Sequence, residues 1–99
     1  MEKDFKLVEL FETYKQLLTE KQRDIFYSYY CLDLSLSEVA EESNSSRQSV
    51  YDTVKIVKAK LCEYESVLRL NGIKTEILSL LDGIEDKELA KKIESIIGR

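Results

Sequence analysis

The fold is decided by the stretch SLSEVAEESNSSRQSVYDTVKIVK, residues 35–58. Its first residue, Ser35, and Glu38 have the spacing of a capping box. In that motif a serine oxygen and a glutamate side chain bind the backbone N–H groups that a helix start leaves unpaired. The spacing therefore predicts a short helix over about residues 36–42.

The next four residues, SNSS at positions 43–46, predict a tight turn. Serine and asparagine side chains form hydrogen bonds with nearby backbone groups, so they compete with continuation of a helix. Asn44 is the residue best suited to a left-handed backbone conformation, and Ser46 is a favourable N-cap. A second helix is therefore expected directly after Ser46.

This second helix has an apolar seam with alternating spacings of four and three residues. The seam consists of Val50, Val54, Val57, Leu61, Tyr64 and Leu68. Since no glycine or proline interrupts it before Gly72, which suits a helix stop, the pattern predicts one helix of about 25 residues. The seam can pack on the chain's own helices or on a second copy. We expect a homodimer.

Two further helices are predicted before this stretch. The first covers about residues 3–16, and its apolar face and exit consist of Leu7, Leu10, Phe11, Tyr14, Leu17 and Leu18. The second begins with a capping box formed by Thr19 and Gln22. Its apolar residues are Ile25, Phe26, Tyr29, Tyr30 and Leu32. We expect the aromatic side chains of this helix to pack in the core, not to form a platform for stacked bases.

A helical hairpin with one apolar side is predicted over about residues 73–98. Its first helix covers about residues 74–81, and its second begins near an Asp86 cap. The apolar residues of the second helix are Leu89, Ala90, Ile93, Ile96 and Ile97. Together the patterns predict a single all-α domain over residues 1–99, with a helix-turn-helix at about residues 35–58.

The composition excludes most catalytic designs. The chain has 99 residues, of which 15 are basic, 19 are acidic and none is histidine, so its formal net charge is −4. Without histidine, a Ser-His-Asp triad, a Cys-His pair and a zinc site of the Cys/His kind cannot form. Cys31 and Cys62 lack the spacing of a ligand or redox motif and are expected to be buried thiols. We therefore expect no enzymatic activity, no cofactor and no metal.

The sequence also bears on localisation. No apolar run approaches the roughly 20 residues that a membrane span needs. The N-terminus has no apolar segment behind a basic cluster, as a secretory signal would have. We expect a cytoplasmic protein.

Two helices joined by a short turn have the layout of a helix-turn-helix, whose second helix enters the major groove by its first turns. Arg47 and Gln48 could read base edges there, and the other polar side chains of this region could contact phosphate. The predicted nucleic-acid or partner contact consists of Ser46, Arg47, Gln48, Tyr51, Lys55 and Lys58.

Residues 17–55, LLTEKQRDIFYSYYCLDLSLSEVAEESNSSRQSVYDTVK, closely resemble the YlxM-type helix-turn-helix proteins of bacteria. These are small all-helical proteins whose motif looks like region 4 of sigma-70 factors. The matching pieces are LLTEKQ at 17–22, the Tyr-Tyr pair at 29–30, SLSEVAEE at 35–42 and SRQSVYD at 46–52.

The resemblance implies a regulatory or accessory protein, not an enzyme, in the signal recognition particle pathway. Genes of this family typically adjoin those of the particle's GTPase and its receptor. The implied partner is the particle's RNA or its GTPase. The chain departs from the sigma-like pattern in the turn, where Ser43, Asn44 and Ser45 replace an aromatic or aliphatic residue, a glycine and a valine. The two serines predict weaker anchoring of the turn, by roughly 1–3 kcal/mol if each loses buried apolar area.

The net charge around the predicted helix-turn-helix does not decide between two functions. Residues 31–65 contain four basic and seven acidic side chains, which gives 4 − 7 = −3. A helix-turn-helix that binds DNA by itself normally has the opposite balance. The alternatives are an accessory protein of the signal recognition particle and a sequence-specific DNA-binding transcriptional regulator that acts as a dimer.

Overall fold

The computed structural model describes residues 4–98, which contain six α-helices and no strand. The all-α class predicted from the sequence is thereby confirmed. The chain divides into two compact units between Leu68 and Arg69. The helices are α1 (Phe5–Tyr14), α2 (Glu20–Phe26), α3 (Leu36–Glu42), α4 (Arg47–Leu68), α5 (Leu70–Leu81) and α6 (Lys87–Ile96).

Helix α1 begins after Asp4, whose carboxylate accepts a hydrogen bond from the backbone N–H of Lys6 at 2.8 Å. The predicted start at Lys3 lies outside the described residues. The apolar face of α1 is buried, and its members are Leu7, Leu10, Phe11 and Tyr14. A 3-10 turn over Lys15–Leu17 follows, and it leaves Leu17 exposed although Leu18 is buried.

Helix α2 begins with the predicted capping box. The Thr19 hydroxyl accepts from the backbone N–H of Gln22, and the Gln22 side chain accepts from the backbone N–H of Thr19, each at 3.1 Å. A π-helical segment, Tyr27–Cys31, continues the helix. It ends before Asp33, whose φ of 60° is left-handed.

An aromatic stack makes α2 and its π-helical continuation the centre of the core, as predicted. The rings of Phe26 and Tyr30 are stacked with their centroids 4.5 Å apart. The centroid of the Phe11 ring lies 5.1 Å from that of Phe26. Tyr29 and Tyr30 are both buried, so their rings pack inside the protein. Leu32, in contrast, is about half exposed and lies outside this core.

Helix α3 has the second predicted capping box. The Ser35 hydroxyl accepts from the backbone N–H of Glu38 at 3.1 Å, and the Glu38 carboxylate accepts from the backbone N–H of Ser35 at 2.9 Å. The pKa of Glu38 is lowered below its ordinary value. The larger cause is the hydrogen bond from the Ser35 backbone N–H, and the smaller cause is the Ser35 hydroxyl, since both stabilise the charged carboxylate.

The turn between α3 and α4 has the predicted left-handed residue, because Asn44 has a φ of 56°. The Ser43 hydroxyl donates to the backbone oxygen of Val39 at 2.8 Å and lies 2.7 Å from the Ser45 hydroxyl. Ser46 caps α4, since its Oγ accepts from the backbone N–H of Ser49 at 3.0 Å. Side-chain hydrogen bonds thus hold the turn where the sigma-like pattern has apolar packing.

Helix α4 packs against α1, α2 and α3 through its apolar seam. The buried seam residues are Val50, Val54, Val57 and Leu61, and Tyr64 packs against the same core. The Tyr64 ring lies 5.8 Å from that of Tyr14, whose hydroxyl donates to Glu65 Oε1 at 2.5 Å. Leu68, the last seam residue, is 45% exposed.

The predicted end of α4 at Gly72 is wrong. The helix has 22 residues and ends at Leu68, because Arg69 takes the left-handed conformation with a φ of 52°. Gly72 lies inside α5, which begins at Leu70, before the predicted start of the hairpin. Glycine is favoured at a left-handed helix stop, but other residues can occupy it at a cost of about 1–2 kcal/mol.

The second unit contains α5 and α6. Asp86 caps α6 as predicted, since its carboxylate accepts from the backbone N–H of Leu89 at 3.1 Å. Ala90 and Leu81 are buried, but several large apolar side chains are not. The exposed ones are Leu70, Ile73, Leu80, Leu89 and Ile96.

The expectation that both cysteines are buried is wrong. Cys62 is exposed and Cys31 is only partly buried. Cys62 lies outside the seam of α4, one residue after the fully buried Leu61. A helix turns by about 100° per residue, so this single step carries the thiol away from the core.

We predict that the stabilising effect of Glu38 is lost in acid. A carboxyl whose pKa is lowered by folding stabilises the fold above its unfolded-state pKa, and this contribution disappears as pH falls through the lowered value. Wild type should therefore exceed Glu38→Gln in stability at about pH 7, and the two should converge towards about pH 3. Urea unfolding across this range measures the difference. An equal difference in stability between wild type and Glu38→Gln at both pH values would contradict the assignment.

We predict that Asn44 tolerates glycine but not valine. Position 44 has a left-handed backbone conformation, which glycine adopts freely and a β-branched residue such as valine does not. Asn44→Val should lower the free energy of unfolding by about 1–2 kcal/mol, and Asn44→Gly should change it by less than about 0.5 kcal/mol. Chemical denaturation measures both, and an equal effect would show that the backbone conformation is not limiting.

Candidate nucleic-acid interface

The interface is positioned by the crossing of α3 and α4. Val39 and Ala40 of α3 and Val50 of α4 are buried in this part of the core. Ala40 is small enough to allow a close crossing. The crossing and the four-residue turn place the first turns of α4 at the surface, in the arrangement of a helix-turn-helix.

The side chains predicted to make contacts lie on one side of α4. A helix turns by about 100° per residue, so they occupy a sector of about 100° next to the buried seam. We call this surface the α4 strip, and it consists of Arg47, Gln48, Tyr51, Lys55 and Lys58. Four of these side chains are exposed, and Lys58 is partly buried. Ser46 lies just before the strip, where its hydroxyl caps the helix.

Two lysines of the strip are held by aromatic rings. Lys55 Nζ lies 5.8 Å from the centroid of the Tyr51 ring, and Lys58 Nζ lies 5.3 Å from the centroid of the Tyr30 ring. A cation at such a distance from a ring face is attracted by the π system. Tyr30 is part of the buried stack, so the core limits the position of Lys58.

The amide of Gln48 already has a partner inside the chain. Its Nε2 donates to Asp52 Oδ1 at 2.9 Å, one helical turn further on. Asp52 is exposed and brings a negative charge to the edge of the strip. Gln48 is therefore less available for base contacts than the sequence suggests.

A hollow lies beside Arg47, between the start of α4 and the start of α3. Its lining includes Tyr29, Asp33, Ser35 and Glu38. The Glu38 carboxylate is held by the capping box, and it lines the same hollow as Arg47.

Glu42, at the end of α3, has a partner in the π-helical segment that follows α2. Glu42 Oε1 accepts a hydrogen bond from the buried Ser28 hydroxyl at 3.3 Å, on the side of α2. From the sequence, Glu38, Glu41, Glu42 and Asp52 are expected on or beside the docking surface. In the structure Glu42 binds Ser28, Glu38 lines the hollow beside Arg47, and Asp52 lies on α4.

Sequence reasoning missed two features of this region. The contact between Tyr30 and Lys58 joins residues 28 positions apart, and no local pattern signals it. The tie between Gln48 and Asp52 is a four-residue spacing, which the sequence does display.

Other kinds of site were sought in the same part of the chain. Within residues 4–98 there is no group of three or more histidine, cysteine or carboxylate side chains placed to hold a metal ion. Every helix in that range is too short or too polar to cross a membrane.

Comparison with known proteins agrees with this geometry. Residues 1–98 match the UPF0122 family, described as "Putative helix-turn-helix protein, YlxM / p13 like". A UPF0122 protein of Mycoplasma capricolum is 40% identical over 92 residues, which cover 93% of this chain and 81% of that protein. A UPF0122 protein of Halalkalibacterium halodurans is 44% identical over 91 residues, which cover 89% of this chain and 84% of that protein. A UPF0122 protein of Bacillus thuringiensis is 50% identical over 70 residues, which cover 71% of this chain and 64% of that protein.

The match extends over almost the entire chain, and the similar proteins come from several bacteria. A helix-turn-helix is a non-enzymatic kind of fold, and it implies binding to nucleic acid. The chain belongs to the UPF0122 family of YlxM/p13-like helix-turn-helix proteins.

Proposed function

We propose that this protein is a non-enzymatic, cytoplasmic regulator that takes part in the signal recognition particle pathway by binding the particle's RNA or its GTPase. The observation that carries the proposal is the α4 strip, which exposes Arg47, Tyr51 and Lys55 on the first turns of the second helix. This is the surface that a helix-turn-helix presents to nucleic acid. The pathway itself follows from the resemblance to YlxM-type proteins.

The small number of cations favours a selective ligand. Affinity for a bare phosphate backbone grows with the number of lysine and arginine contacts, and the strip offers only three such side chains. Asp52 and the nearby Glu38 further reduce the attraction for a uniform duplex. A folded RNA adds contacts through its shape and its 2′-hydroxyl groups, which do not require a large positive charge.

We predict that Arg47→Ala combined with Lys55→Ala weakens binding to the particle's RNA by about tenfold or more, since each phosphate contact contributes at least about 1 kcal/mol. The slope of log affinity against log salt should fall in magnitude by about 1 to 2. Fluorescence anisotropy at several salt concentrations measures both quantities, with a DNA duplex as the comparison ligand.

The matched control is Lys6→Ala combined with Lys60→Ala. It removes the same charge, but Lys6 lies on α1 and Lys60 lies on the side of α4 opposite the strip. The control should retain most of the affinity. If wild type binds neither the RNA nor the GTPase at physiological salt, the proposal is wrong; tighter binding to a particular DNA duplex than to the RNA supports the alternative below.

The alternative is a sequence-specific DNA-binding transcriptional regulator that acts as a dimer. The observation that favours it is the pair of exposed apolar side chains at the end of α4, Val67 and Leu68, which follow the buried part of the seam. A second copy that covers them would double the number of weak half-site contacts.

We predict that Leu68→Glu dissociates such a dimer without unfolding the subunit. Leu68 is 45% exposed, so the core tolerates the change, but a charge buried in an interface without a partner is costly. Ser66→Glu adds the same charge to another side of α4 and is the control. Sedimentation velocity measures the mass, and a monomeric wild type at roughly tens of micromolar would exclude the dimer.

A further inference from the structure

The two lysines of the α4 strip lie over aromatic rings that differ in burial. Lys55 lies over Tyr51, which belongs to the same helix and is 44% exposed. Lys58 lies over Tyr30, which belongs to the π-helical segment after α2 and is 7% exposed. The ring under Lys58 is therefore part of the core, whereas the ring under Lys55 is at the surface.

The ring of Tyr30 is held by two other aromatic rings. It is stacked on Phe26, with an angle of 5° between the ring planes and 4.5 Å between the centroids. The Tyr29 ring meets it edge-on at 68°, with the centroids 5.6 Å apart. Because protein interiors are close-packed, a ring in such surroundings has little room to change its rotamer. Tyr30 thus presents a fixed surface to Lys58.

Lys58 has less freedom than the other two cations of the strip. It is partly buried and directly follows Val57, which is fully buried in the seam of α4. Its ammonium nitrogen lies 5.3 Å from the centroid of the Tyr30 ring, where the π system attracts a cation. An ammonium group has three N–H donors, so it can face the ring and still donate to a phosphate oxygen.

A lysine that is already held loses less freedom when it binds a ligand. A lysine side chain has many rotamers, and ordering it at an interface opposes binding. For Lys58 part of this ordering is done by folding. Lys58 lies three turns after Arg47, about 16 Å further along the helix axis, so a fixed cation stands at the far end of the strip.

We propose that Tyr30 is a positioning residue for nucleic-acid binding: its ring holds the Lys58 ammonium group where that group contacts a backbone phosphate of RNA. This role rests on the proposed function of the α4 strip. Tyr30 is buried, so it acts through Lys58 and not by stacking on a base. Lys58 therefore contributes more to affinity than Lys55, although the two side chains carry the same charge.

The first measurement uses the free protein. Protons that lie over an aromatic ring are shifted upfield in an NMR spectrum. The ε-methylene protons of Lys58 should be shifted in this way in wild type and in Tyr30→Phe, which keeps the ring. The shift should disappear in Tyr30→Leu. This readout does not depend on any ligand.

The second measurement is the affinity for the particle's RNA by fluorescence anisotropy. Tyr30→Leu should weaken binding by about threefold or more, and Tyr30→Phe should stay within about twofold of wild type. In a Lys58→Ala background, Tyr30→Leu should weaken binding by less than about twofold, because its effect passes through Lys58. Lys58→Ala should weaken binding more than Lys55→Ala does.

The control for damage to the core is Phe11→Leu. Phe11 is 1% exposed, and its ring lies 5.1 Å from that of Phe26, so this variant removes a buried ring but leaves the one under Lys58. With folding checked by circular dichroism, it should keep both the Lys58 proton shift and the affinity of wild type.

Three results would overturn the role of Tyr30 alone: an unshifted Lys58 in wild type, equal affinities of wild type and Tyr30→Leu, or equal losses in Phe11→Leu and Tyr30→Leu. If Tyr30→Leu does not fold, equal losses in Lys58→Ala and Lys55→Ala would overturn it. If wild type does not bind the RNA, nucleic-acid binding by the strip fails and the role of Tyr30 fails with it. The two failures are therefore distinguished by whether wild type binds.

Discussion

The burial of one face of α4 is the constraint on which the rest of the first unit depends. Val50, Val57 and Leu61 are fully enclosed, and α1, α2 and α3 all pack on this helix. A rotation of α4 about its axis would move these side chains into water at a cost of about 1.5–3 kcal/mol each. The rotation of α4 is therefore fixed, and with it the surface on which Arg47, Tyr51 and Lys55 lie.

The sequence predicted the starts of α2 and α3 and the turn before α4, because these depend on residues that are close together in the chain. Each capping box joins residues three apart, and both form with the expected hydrogen bonds. Asn44 takes the left-handed conformation that its short side chain permits. The end of α4 was not predictable in this way, because Arg69 has no intrinsic preference for that conformation and Gly72 does. The contact between Lys58 and the Tyr30 ring was equally hidden, since it joins residues 28 positions apart.

The distribution of charge resolves a conflict between the motif and the net charge of −4. Read as a sum, the acidic residues around the helix-turn-helix argue against contact with nucleic acid. In the structure these acidic side chains have different partners and lie on different helices. Glu42 is tied to Ser28 on the side of α2, and Glu38 is engaged by the backbone of Ser35. Asp52 lies in the first turns of α4 with the cations, whereas Glu63 and Glu65 lie near the end of that helix, so the repulsion at the strip is smaller than the sum suggests.

In the proposed function, the hydrogen bond between Gln48 and Asp52 bears on how the α4 strip binds nucleic acid. To read a base edge, Gln48 must give up a hydrogen bond of 2.9 Å within the chain, so the net gain from the new bond is small. The ammonium group of Lys55 instead lies 5.8 Å from the centroid of the Tyr51 ring, and among residues 4–98 it has no hydrogen bond to a carboxylate. Contacts to a sugar-phosphate backbone are thus favoured over base readout. Because backbone contacts carry no direct sequence information, discrimination must come from the shape of the ligand, and a folded RNA has more shape to offer than a uniform duplex.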